Sequence, residues 1–380
     1  MSEAARDAHY MAHAIRLAAK GRYTTTPNPN VGCVLVKHDK VVGQGYHHQA
    51  GSPHAEVMAL RDAGEHSHGA TCYVTLEPCS HFGRTPPCAQ ALIHAGVGKV
   101  VMAMQDPNPA VAGKGAKMLQ AAGIEVVSGL MADAARALNP GFLTRMEQGR
   151  PLVRVKLAAS LDGKTALANG TSQWISSAEA RADVQHFRAL SCAVLSTAET
   201  VLQDQARLTL RVEQVNQPIS PLSNGEWRQP VRVILDARQR LTGAEPLFQQ
   251  AGDIILLYPE GSHTKAPAGA QTRYAACDVR GYFDLASVMT ALQDCSLNSI
   301  WVEAGARLAG SLLRAGLVDE LVLYQAAKLL GSDSRSLVDM DALTDLSQAI
   351  ELTWLDIRQL GPDLRVIAQP RSIRGTFTKG

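Results

Sequence analysis

One histidine and two cysteines in the first quarter of the chain have the residue types and spacing of a zinc site. His54 is followed two residues later by Glu56, and Cys79 and Cys88 lie downstream with eight residues between them. Zinc binds imidazole nitrogen and thiolate sulfur, and three protein ligands leave a fourth position for water, whose pKa then falls to about 7. The Glu56 carboxylate is placed to move a proton beside such a metal. We therefore predict a catalytic zinc site.

The order of these residues is typical of hydrolytic zinc deaminases. In such enzymes His-x-Glu precedes Pro-Cys and a second cysteine, and the glutamate acts as general acid and base at an amino-bearing carbon of a pyrimidine or purine. Their usual second half is Pro-Cys-x-x-Cys, whereas the gap between Cys79 and Cys88 is longer here. The alternative is that His54 is a surface residue and both cysteines are core side chains, which requires three ligands to converge by chance.

Composition limits the class of protein. The chain has 380 residues, of which 46% are hydrophobic and 19% charged, and this predicts two soluble domains. We find no apolar run long enough to cross a bilayer and no signal peptide. A net charge of +2 is too weak a field for nucleic acid to be the main partner. Seven cysteines without an export signal favour a reducing compartment, so we expect a cytoplasmic protein without disulfides.

Several conspicuous residues are predicted to be structural. Cys33 and Cys72 lie in apolar runs, where a cysteine acts as a small hydrophobic side chain. Trp301 lies in a predicted strand and is expected in the core. Gly113-Lys114-Gly115 resembles the start of a dinucleotide-binding fingerprint, but Met118 occupies the place of the third glycine, so we predict a turn that opens a helix.

The spacing of apolar residues predicts a layered α/β domain in the first half. An amphipathic helix over 3–20 has Ser2 as its N-cap and ends at Gly21. A helix from about 54 to 63 places the metal histidine near its N-terminus. The other predicted elements are a hairpin over 31–36 and 41–45, strands over 71–76, 98–104 and 124–127, and helices near 87–95, 114–122 and 131–147.

Glycine and proline interrupt the pattern at Gln148–Pro151, and we place a domain boundary there, which gives domains 1–149 and 150–380. The second domain continues the α/β alternation. Ser176–Glu179 has the sequence of a capping box that opens a helix, and 212–229 has the composition of a surface loop. The predicted strands of this half span 152–157, 192–195, 231–235, 254–258, 299–303 and 320–325.

Longer motifs occur along nearly the whole chain. They are Thr26 to Gly32, His54 to Val57, Thr75 to His81, Thr85 to Cys88 and Asp106 to Pro109 in the first half, and Lys156 to Gly163, Ser172 to Ile175 and Val302 to Gly305 in the second. Together they resemble the motifs of the bifunctional riboflavin-biosynthesis deaminase/reductases, which also have the eight-residue gap between the thiolates. The resemblance implies an N-terminal cytidine-deaminase-like α/β/α layered domain and a C-terminal dihydrofolate-reductase-like α/β domain.

For the first domain the resemblance implies removal of the 2-amino group from a diaminopyrimidinone that carries a ribosylamino 5-phosphate. Glu56 has the catalytic proton-transfer role beside zinc held by His54, Cys79 and Cys88. An amide suits a polar ring edge, and imidazole and guanidinium suit ribose and phosphate. The positions matched to substrate are Asn28, His47, His81 and Arg84. For His47, a solvated loop histidine is an open alternative.

For the second domain the resemblance implies NADPH-dependent reduction of the ribosyl group to a ribityl chain. Lys156 and Asp204 are its catalytic candidates, with ordinary solvated charges as the alternative. A helix N-terminus within the cofactor positions can receive phosphate. The matched cofactor positions are Ala158, Trp174, Thr200, Asp204, Gly305, Ala306, Arg307, Leu308, Ala309, Gly310 and Ser311. The matched substrate positions are Ser172, Arg188, Leu208, Arg211 and Glu303, the two arginines being suited to the 5-phosphate.

One departure from the family follows Asp204, where Gln205-Ala206-Arg207 precede a Leu-Thr pair without the proline that members commonly have. Loss of the fixed φ of proline is expected to loosen this loop. One alternative is therefore a deaminase whose second domain is only a scaffold or dimerisation module. The others are a nucleic-acid base deaminase, which needs a basic groove with stacking aromatic residues, and a non-catalytic zinc protein, which needs a closed four-ligand site. We expect a phosphorylated pyrimidine substrate and a homo-oligomer, with no nucleic-acid or membrane partner.

Overall fold

The structure is a computed structural model that describes residues 2–80, 87–109 and 111–371. The chain forms two compact units. One comprises the chain up to Arg150 together with Ile219–Arg228, and the other comprises Pro151–Pro218 together with the chain from Gln229 onward. Part of the surface loop predicted over 212–229 thus belongs to the first unit. Across the described ranges, no helix combines the length and the apolar character that a membrane span requires.

The first unit alternates helices and strands. Its first helix begins after Ser2, whose hydroxyl accepts a hydrogen bond from the Ala5 N–H, as predicted. The elements are α1 (Glu3–Ala18), β1 (Gly32–Lys37), β2 (Lys40–Tyr46), α2 (Ala55–Ala63), β3 (Thr71–Val74), α3 (Cys88–His94), β4 (Lys99–Met102), α4 (Lys114–Ala121), β5 (Glu125–Ser128), α5 (Ala132–Arg136) and α6 (Pro140–Gln148).

These strands form one sheet with helices on both faces. The order is β2-β1-β3-β4-β5, in which β1 is antiparallel to both neighbours and β3, β4 and β5 are parallel. Side chains alternate along β1, so that Cys33 and Leu35 pack with α2, α3 and α4 while Val34 and Val36 pack with α1. The predicted α/β/α layering is confirmed.

The prediction of a single helix over 131–147 is wrong. The segment forms α5 and α6, separated by a break at Asn139. Pro140 is the first residue of α6, where its missing N–H needs no partner, and its ring disfavours helical backbone at the preceding residue. The apolar spacing continued across the break and concealed it.

The second unit is also built from alternating elements. Its elements are β6 (Leu152–Ser160), β7 (Lys164–Ala166), α7 (Ala178–Leu190), β8 (Ala193–Thr197), α8 (Ala198–Asp204), β9 (Val231–Leu235), β10 (Ile254–Pro259), β11 (Ala270–Ala275), α9 (Leu285–Ala291), β12 (Ser299–Glu303), α10 (Ala306–Arg314), β13 (Glu320–Ala326), β14 (Arg335–Ser336), β15 (Leu352–Leu360) and β16 (Asp363–Pro370).

Its main sheet has the order β11-β10-β9-β8-β12-β6-β13-β16-β15. The strands from β11 to β13 are parallel, and β16 is antiparallel to both β13 and β15. The carboxyl ends of the parallel strands therefore share one edge of the sheet, where ligands bind in open α/β folds. The α/β class expected for this half is confirmed.

Two local expectations in this unit need correction. The N-cap of α7 is Ser177, whose hydroxyl accepts from the Ala180 N–H, so the predicted box starting at Ser176 is out of register by one residue. The hairpin formed by β15 and β16 was not predicted, because outward side chains along β15 such as Trp354 and Ile357 are apolar and hide the alternation of a half-buried strand.

The residues predicted to be structural lie in the core. Cys33 and Cys72 are fully buried, with their sulfur atoms 3.4 Å apart. Trp301 is fully buried and stacks on Phe187 with the ring centroids 4.7 Å apart. Gly113 is the N-cap of α4, which confirms a turn opening a helix.

Candidate active sites

The three predicted zinc ligands converge in the first unit. Sγ of Cys88 lies 3.2 Å from Nδ1 of His54, and Sγ of Cys79 lies 3.7 Å from the same nitrogen. All three ligand atoms lie within 4.8 Å of one another, and no fourth such ligand joins them within the described part of the chain. Nitrogen and sulfur ligands of a tetrahedral zinc ion are about 3.6 Å apart. The donor set and its spacing therefore fit zinc with one open position.

Hydrogen bonds among the three ligands shift their pKa values. The hydrogen bond with Cys88 lowers the pKa of Cys79, and the hydrogen bond with Cys79 raises the pKa of His54. The hydrogen bond with Cys79 and burial raise the pKa of Cys88. Because zinc binds thiolate and neutral imidazole, its binding releases the protons that these ligands hold.

Glu56 lies beside the ligand cluster and is not part of it. It is buried in the first turn of α2, two residues after His54. Burial raises its pKa to about 7, and the charge on Cys79 adds to the rise. A carboxyl group that titrates near neutral pH can accept a proton and return it, which suits general acid-base catalysis.

Close packing of α2 against β2 fixes where His54 and Glu56 stand. A Cβ atom at Gly45 would lie 2.5 Å from Cβ of Met58 and 2.7 Å from the carbonyl oxygen of Ala55. A side chain at position 45 would push the helix away from the strand. Because His54 is the N-cap of α2, its imidazole would move with the helix.

Glu77 positions Cys79, a role that the sequence analysis missed. Its buried carboxylate accepts hydrogen bonds from the backbone N–H groups of Asp106, Gly113 and Ala116 at 2.9 to 3.1 Å. It thus supplies the cap that the glycine N-cap of α4 cannot provide. The available signal was an acidic residue directly before Pro-Cys and a later helix that begins without a capping side chain.

The predicted substrate residues of the first unit divide into two groups. His47 is buried, its Nδ1 lies 3.2 Å from the carbonyl oxygen of Pro53, and its Nε2 lies 3.0 Å from Nδ2 of Asn28. Burial lowers the pKa of His47 to about 4, so this neutral ring orients the Asn28 amide and offers no charge to a phosphate. His81 and Arg84 lie outside the described residues.

The second unit holds a cavity of about 2110 Å³ toward the carboxyl ends of β6, β8, β9 and β12. Most of the predicted positions line it: Lys156, Ala158, Ser172, Trp174, Arg188, Thr200, Asp204, Leu208, Arg211, Glu303, Gly305, Ala306, Arg307, Leu308 and Ser311. Ala309 and Gly310 do not, because they lie on the buried side of α10, where Ala309 packs in the hydrophobic core.

An ion pair between Arg188 and Glu303 forms part of the cavity wall. Nε and Nη2 of Arg188 donate to the two oxygens of Glu303 at 2.6 and 2.9 Å, and Nη1 donates to the carbonyl oxygen of Thr209. Glu303 also accepts a hydrogen bond from the Trp301 indole. Burial would raise the pKa of Glu303, but the charges of Arg188 and Lys156 outweigh it and hold the pKa at about 2.

The two arginines that were expected to bind the 5-phosphate differ in whether their guanidinium groups already have partners. The guanidinium of Arg188 is occupied by Glu303 and Thr209. Arg211 is exposed in the same cavity, and its guanidinium forms no hydrogen bond to another described residue. The geometry therefore favours Arg211 as the phosphate ligand.

Lys156 and Asp204 reach the cavity from different elements. Lys156 projects from β6, and Asp204 is the last residue of α8. Burial lowers the pKa of Lys156, while the charges of Glu303 and Asp204 oppose the shift. A lysine whose pKa is lowered gives up a proton more readily near neutral pH.

The features of this cavity fit a dinucleotide phosphate. The N-cap of α10 is Gly305, which has no side chain to cap the helix. The first N–H groups of α10 are therefore available to a phosphate at the cavity wall. Trp174 is 63% exposed in the cavity, with the Arg181 guanidinium 4.5 Å above its ring.

The loop after Asp204 is tied down without proline. The N–H of Ala206 donates a hydrogen bond to the carbonyl oxygen of Val201, which a proline at that position could not do. The alanine thus adds a backbone hydrogen bond to this loop, while the loosening expected from the sequence stays a prediction.

Lys328 holds the segment that carries Trp174 and was also missed. Its Nζ donates to the carbonyl oxygens of Trp174 and Ile175 at 2.9 and 3.0 Å. The only sequence signal was a lysine just beyond the end of β13. This contact orients the cavity wall without lining it.

Comparisons with known proteins match both halves. The model of the cytidine and deoxycytidylate deaminase zinc-binding region matches residues 4–104, and that of the RibD C-terminal domain matches residues 151–366. The chain is 51% identical over 361 residues to the riboflavin biosynthesis protein RibD of Escherichia coli (strain K12), covering 94% of this chain and 98% of that protein. It is 47% identical to RibD of Haemophilus influenzae, covering 97% and 98%.

The chain belongs to the RibD family. Acinetobacter baumannii RibD, form 1, is 42% identical with a TM-score of 0.88, covering 97% of this chain and 100% of that one. A Thermotoga maritima diaminohydroxyphosphoribosylaminopyrimidine deaminase/5-amino-6-(5-phosphoribosylamino)uracil reductase is 32% identical with a TM-score of 0.84, covering 97% and 99%. The family resemblance is confirmed. A zinc deaminase domain and an NADPH-dependent reductase domain are both present.

Substituting Gly115→Ala is expected to weaken zinc binding. The new Cβ would lie 2.0 Å from the carbonyl oxygen of Pro78, so the Pro78–Cys79 segment must shift. We expect less than one zinc per chain after gel filtration and a free energy of unfolding lowered by about 1–3 kcal/mol. The control is Gly98→Ala, whose Cβ would meet nothing closer than 3.4 Å. Full zinc occupancy in Gly115→Ala would contradict the positioning role.

The Arg188–Glu303 pair predicts acid sensitivity of the second unit. The folded-state pKa of Glu303 is depressed from 4.5 to about 2, so its contribution to stability is complete above 4.5 and is lost as the pH falls toward 2. Glu303→Gln should lower the free energy of unfolding at pH 7 by about 3–5 kcal/mol, because Arg188 is left unpaired. Glu303→Gln should also weaken the pH dependence of the free energy of unfolding between pH 4.5 and 2.

Calorimetry from pH 7 to 3 measures both effects. The matched control is Glu351→Gln, which removes an exposed ion pair with Arg371 and is expected to cost less than about 1 kcal/mol. An unchanged slope in Glu303→Gln would show that this carboxylate is not the titrating group.

Proposed function

We propose that the first unit hydrolyses the 2-amino group of 2,5-diamino-6-(5-phosphoribosylamino)pyrimidin-4(3H)-one and that the second unit then reduces the ribosyl group to ribityl with NADPH. The observation that carries this proposal is the presence, in one chain, of an open His-Cys-Cys cluster with Glu56 beside it and a second cavity lined by Lys156 and a free helix N-terminus. Each site has the groups that its half-reaction requires.

In the first unit Glu56 carries the proton. Zinc held by His54, Cys79 and Cys88 would supply a water of lowered pKa at neutral pH. Glu56 would take one proton from the attacking water as its oxygen bonds to the amino-bearing carbon, and would pass that proton to the ring nitrogen. Glu56 would then carry the remaining hydroxyl proton to the amino group, whose bond to carbon breaks as ammonia leaves. Asn28, oriented by His47, donates or accepts at the polar edge of the ring.

In the second unit the side chains orient the sugar and manage one proton. NADPH, when bound, supplies a hydride to the sugar carbon that bears the amine. As the bond from that carbon to the ring oxygen opens, Lys156 gives the oxygen a proton, and Asp204 sets the charge around the lysine. Arg211 binds the 5-phosphate.

Single substitutions should separate the two activities. Glu56→Gln is expected to lower ammonia release about 10²- to 10⁴-fold while zinc stays bound. It should leave NADPH oxidation intact when the deaminated pyrimidine is supplied. Lys156→Met is expected to lower NADPH oxidation and to leave ammonia release intact. The released ammonia and the loss of reduced-nicotinamide absorbance are measured in the same samples. The protein in each sample is first equilibrated with zinc.

The wild-type protein decides between the remaining alternatives. Ammonia release without any NADPH oxidation would support a deaminase with a scaffold domain. Absence of both activities, in a folded protein with one zinc per chain, would overturn the proposal. Loss of both activities in Lys156→Met would show that the substitution acts through folding.

We also propose that the protein is a cytoplasmic homo-oligomer. A cytoplasmic location is supported by seven cysteines, none of which forms a disulfide bond in the described part of the chain. Self-association is supported by β15, a strand at the edge of its sheet on which Trp354, Leu355 and Ile357 are more than half exposed. Such an apolar edge strand favours pairing with another chain.

Light scattering after gel filtration tests self-association. Trp354→Lys is expected to convert an oligomer into a monomer, because it places a charge on the apolar edge. Val279→Lys, at a fully exposed valine in a turn, is the matched control and should leave the mass unchanged. A monomeric wild-type protein would contradict the proposal.

A further inference from the structure

A short segment from the second half of the sequence belongs to the first unit and has no role in the reactions described above. It is Ile219–Arg228, which lies within the stretch that composition predicts to be a surface loop. The chain on both sides of this segment belongs to the second unit. Ordering a loop costs conformational entropy, so its place in the first unit requires specific contacts.

The segment is folded into a turn at its exposed tip. The N–H of Leu222 donates to the carbonyl oxygen of Glu226 at 2.7 Å, and the N–H of Glu226 donates to Oδ1 of Asn224 at 3.0 Å. Leu222 and Trp227, on either side of the tip, are partly buried. The polar groups of the segment are therefore presented by an ordered backbone.

The first contact of the segment is with the loop between β2 and α2. Oε1 of Gln49 accepts hydrogen bonds from the N–H and the hydroxyl of Ser223, at 2.8 and 2.9 Å. Gln49 is also fixed in its own loop, because its N–H donates to the Ser52 hydroxyl, which donates to the Gln49 carbonyl oxygen. This loop joins the proposed substrate residue His47 to the zinc ligand His54.

The second contact is with the loop that precedes β1. Nε of Arg228 donates a hydrogen bond to the carbonyl oxygen of Tyr23 at 2.8 Å, in partly buried surroundings. The same loop carries the proposed substrate residue Asn28, whose N–H donates to the carbonyl oxygen of Thr25 at 2.9 Å. One segment thus binds both loops that supply substrate residues.

The two loops meet at those substrate residues. Nδ2 of Asn28 lies 3.0 Å from Nε2 of His47, and the Thr24 hydroxyl donates to the carbonyl oxygen of His48. A Cβ atom at Gly21 would lie 2.6 Å from the carbonyl oxygen of His47, so the backbones are in close contact. Hydrogen bonds weaken steeply when their distance and angle change. The orientation of Asn28 therefore depends on the separation of the two loops.

We propose that Ile219–Arg228 fixes this separation and that Ser223 and Arg228 are positioning residues for the pyrimidine substrate. Ser223 binds the loop that carries His47, and Arg228 binds the loop that carries Asn28. Both act on the substrate through these two side chains. The inference rests on the deaminase activity proposed for the first unit.

Steady-state kinetics of ammonia release by the zinc-loaded, full-length protein test the inference. Gln49→Leu removes the acceptor of both Ser223 donors, so KM for the diaminopyrimidinone should rise about 2- to 10-fold, the effect of losing a neutral hydrogen bond. The value of kcat should change by less than about 2-fold, because Glu56 and the metal ligands are unaltered. Arg228→Met should change KM and kcat in the same way. Gln49→Glu keeps acceptor oxygens and should retain the wild-type KM.

Arg22→Met is the matched control for Arg228→Met. It also removes a hydrogen bond from Nε of an arginine to a backbone carbonyl oxygen, that of Ala19 at 2.8 Å. That bond is local to the loop that carries Tyr23, so Ile219–Arg228 remains attached. The KM of Arg22→Met should therefore equal that of the wild-type protein.

Two further measurements separate positioning from a general loss of structure. In Gln49→Leu and Arg228→Met, the N–H groups of Asn28 and Ser52 should exchange faster with solvent, while those of β3 and β4 stay protected. Ser223→Ala should raise KM in the wild-type background and have no further effect in Gln49→Leu, because the two side chains act through one contact.

The possible failures are distinguishable. An unchanged KM in Gln49→Leu or in Arg228→Met, or an equal rise in Arg22→Met, would overturn the positioning role and leave the deaminase proposal intact. A fall in kcat at unchanged KM, with zinc still bound, would also overturn it, since substrate positioning would then be unaffected. A wild-type protein with one zinc per chain that releases no ammonia would remove the deaminase proposal, and this inference with it.

Discussion

Removing a carboxylate from water costs several kcal/mol unless opposite charge or hydrogen-bond donors replace the solvent. Glu56, Glu77 and Glu303 at the two sites have little or no contact with water, and each meets the cost differently. Glu77 receives three backbone N–H groups, and Glu303 receives a guanidinium and an indole. Glu56 has no comparable set of donors, so burial drives its pKa up to about 7. The environment of each carboxylate decides its role.

The satisfied carboxylates give the sites their geometry. Glu77 links the loop that carries Cys79 to the start of α4, and the Arg188–Glu303 pair links α7 to the end of β12. Both links join segments far apart in sequence and close to reacting groups. Glu56, whose pKa is raised to about 7 by burial, is the carboxyl group that can exchange protons near neutral pH. Glu77 and Glu303, which hold segments together, thus differ from the reactive Glu56 in the partners of their carboxylates.

What could be predicted from the sequence depended on how local each signal is. The zinc cluster lies in two short motifs, and helix periodicity placed His54 and Glu56 on one turn. By contrast, nothing local in the sequence indicates that Arg188 pairs with Glu303, 115 residues later. The assignment of Arg188 to the phosphate therefore could not be tested from the sequence. The same limit applies to Ala309 and Gly310, because a motif names positions and does not tell which face of α10 meets the cavity.

Both units place their chemistry by the same topological rule. In the first, β3 and β4 are parallel, so the segments that follow them, with Cys79 and Asp106, meet at one edge of the sheet where Glu77 can join them. In the second, the parallel run from β6 to β9 gathers residues from four strand ends around one cavity. A parallel sheet requires each chain segment to return to the same edge. Distant parts of the sequence are therefore brought to one site by the backbone, and only the side chains at the strand ends remain to specify a metal in one unit and a dinucleotide in the other.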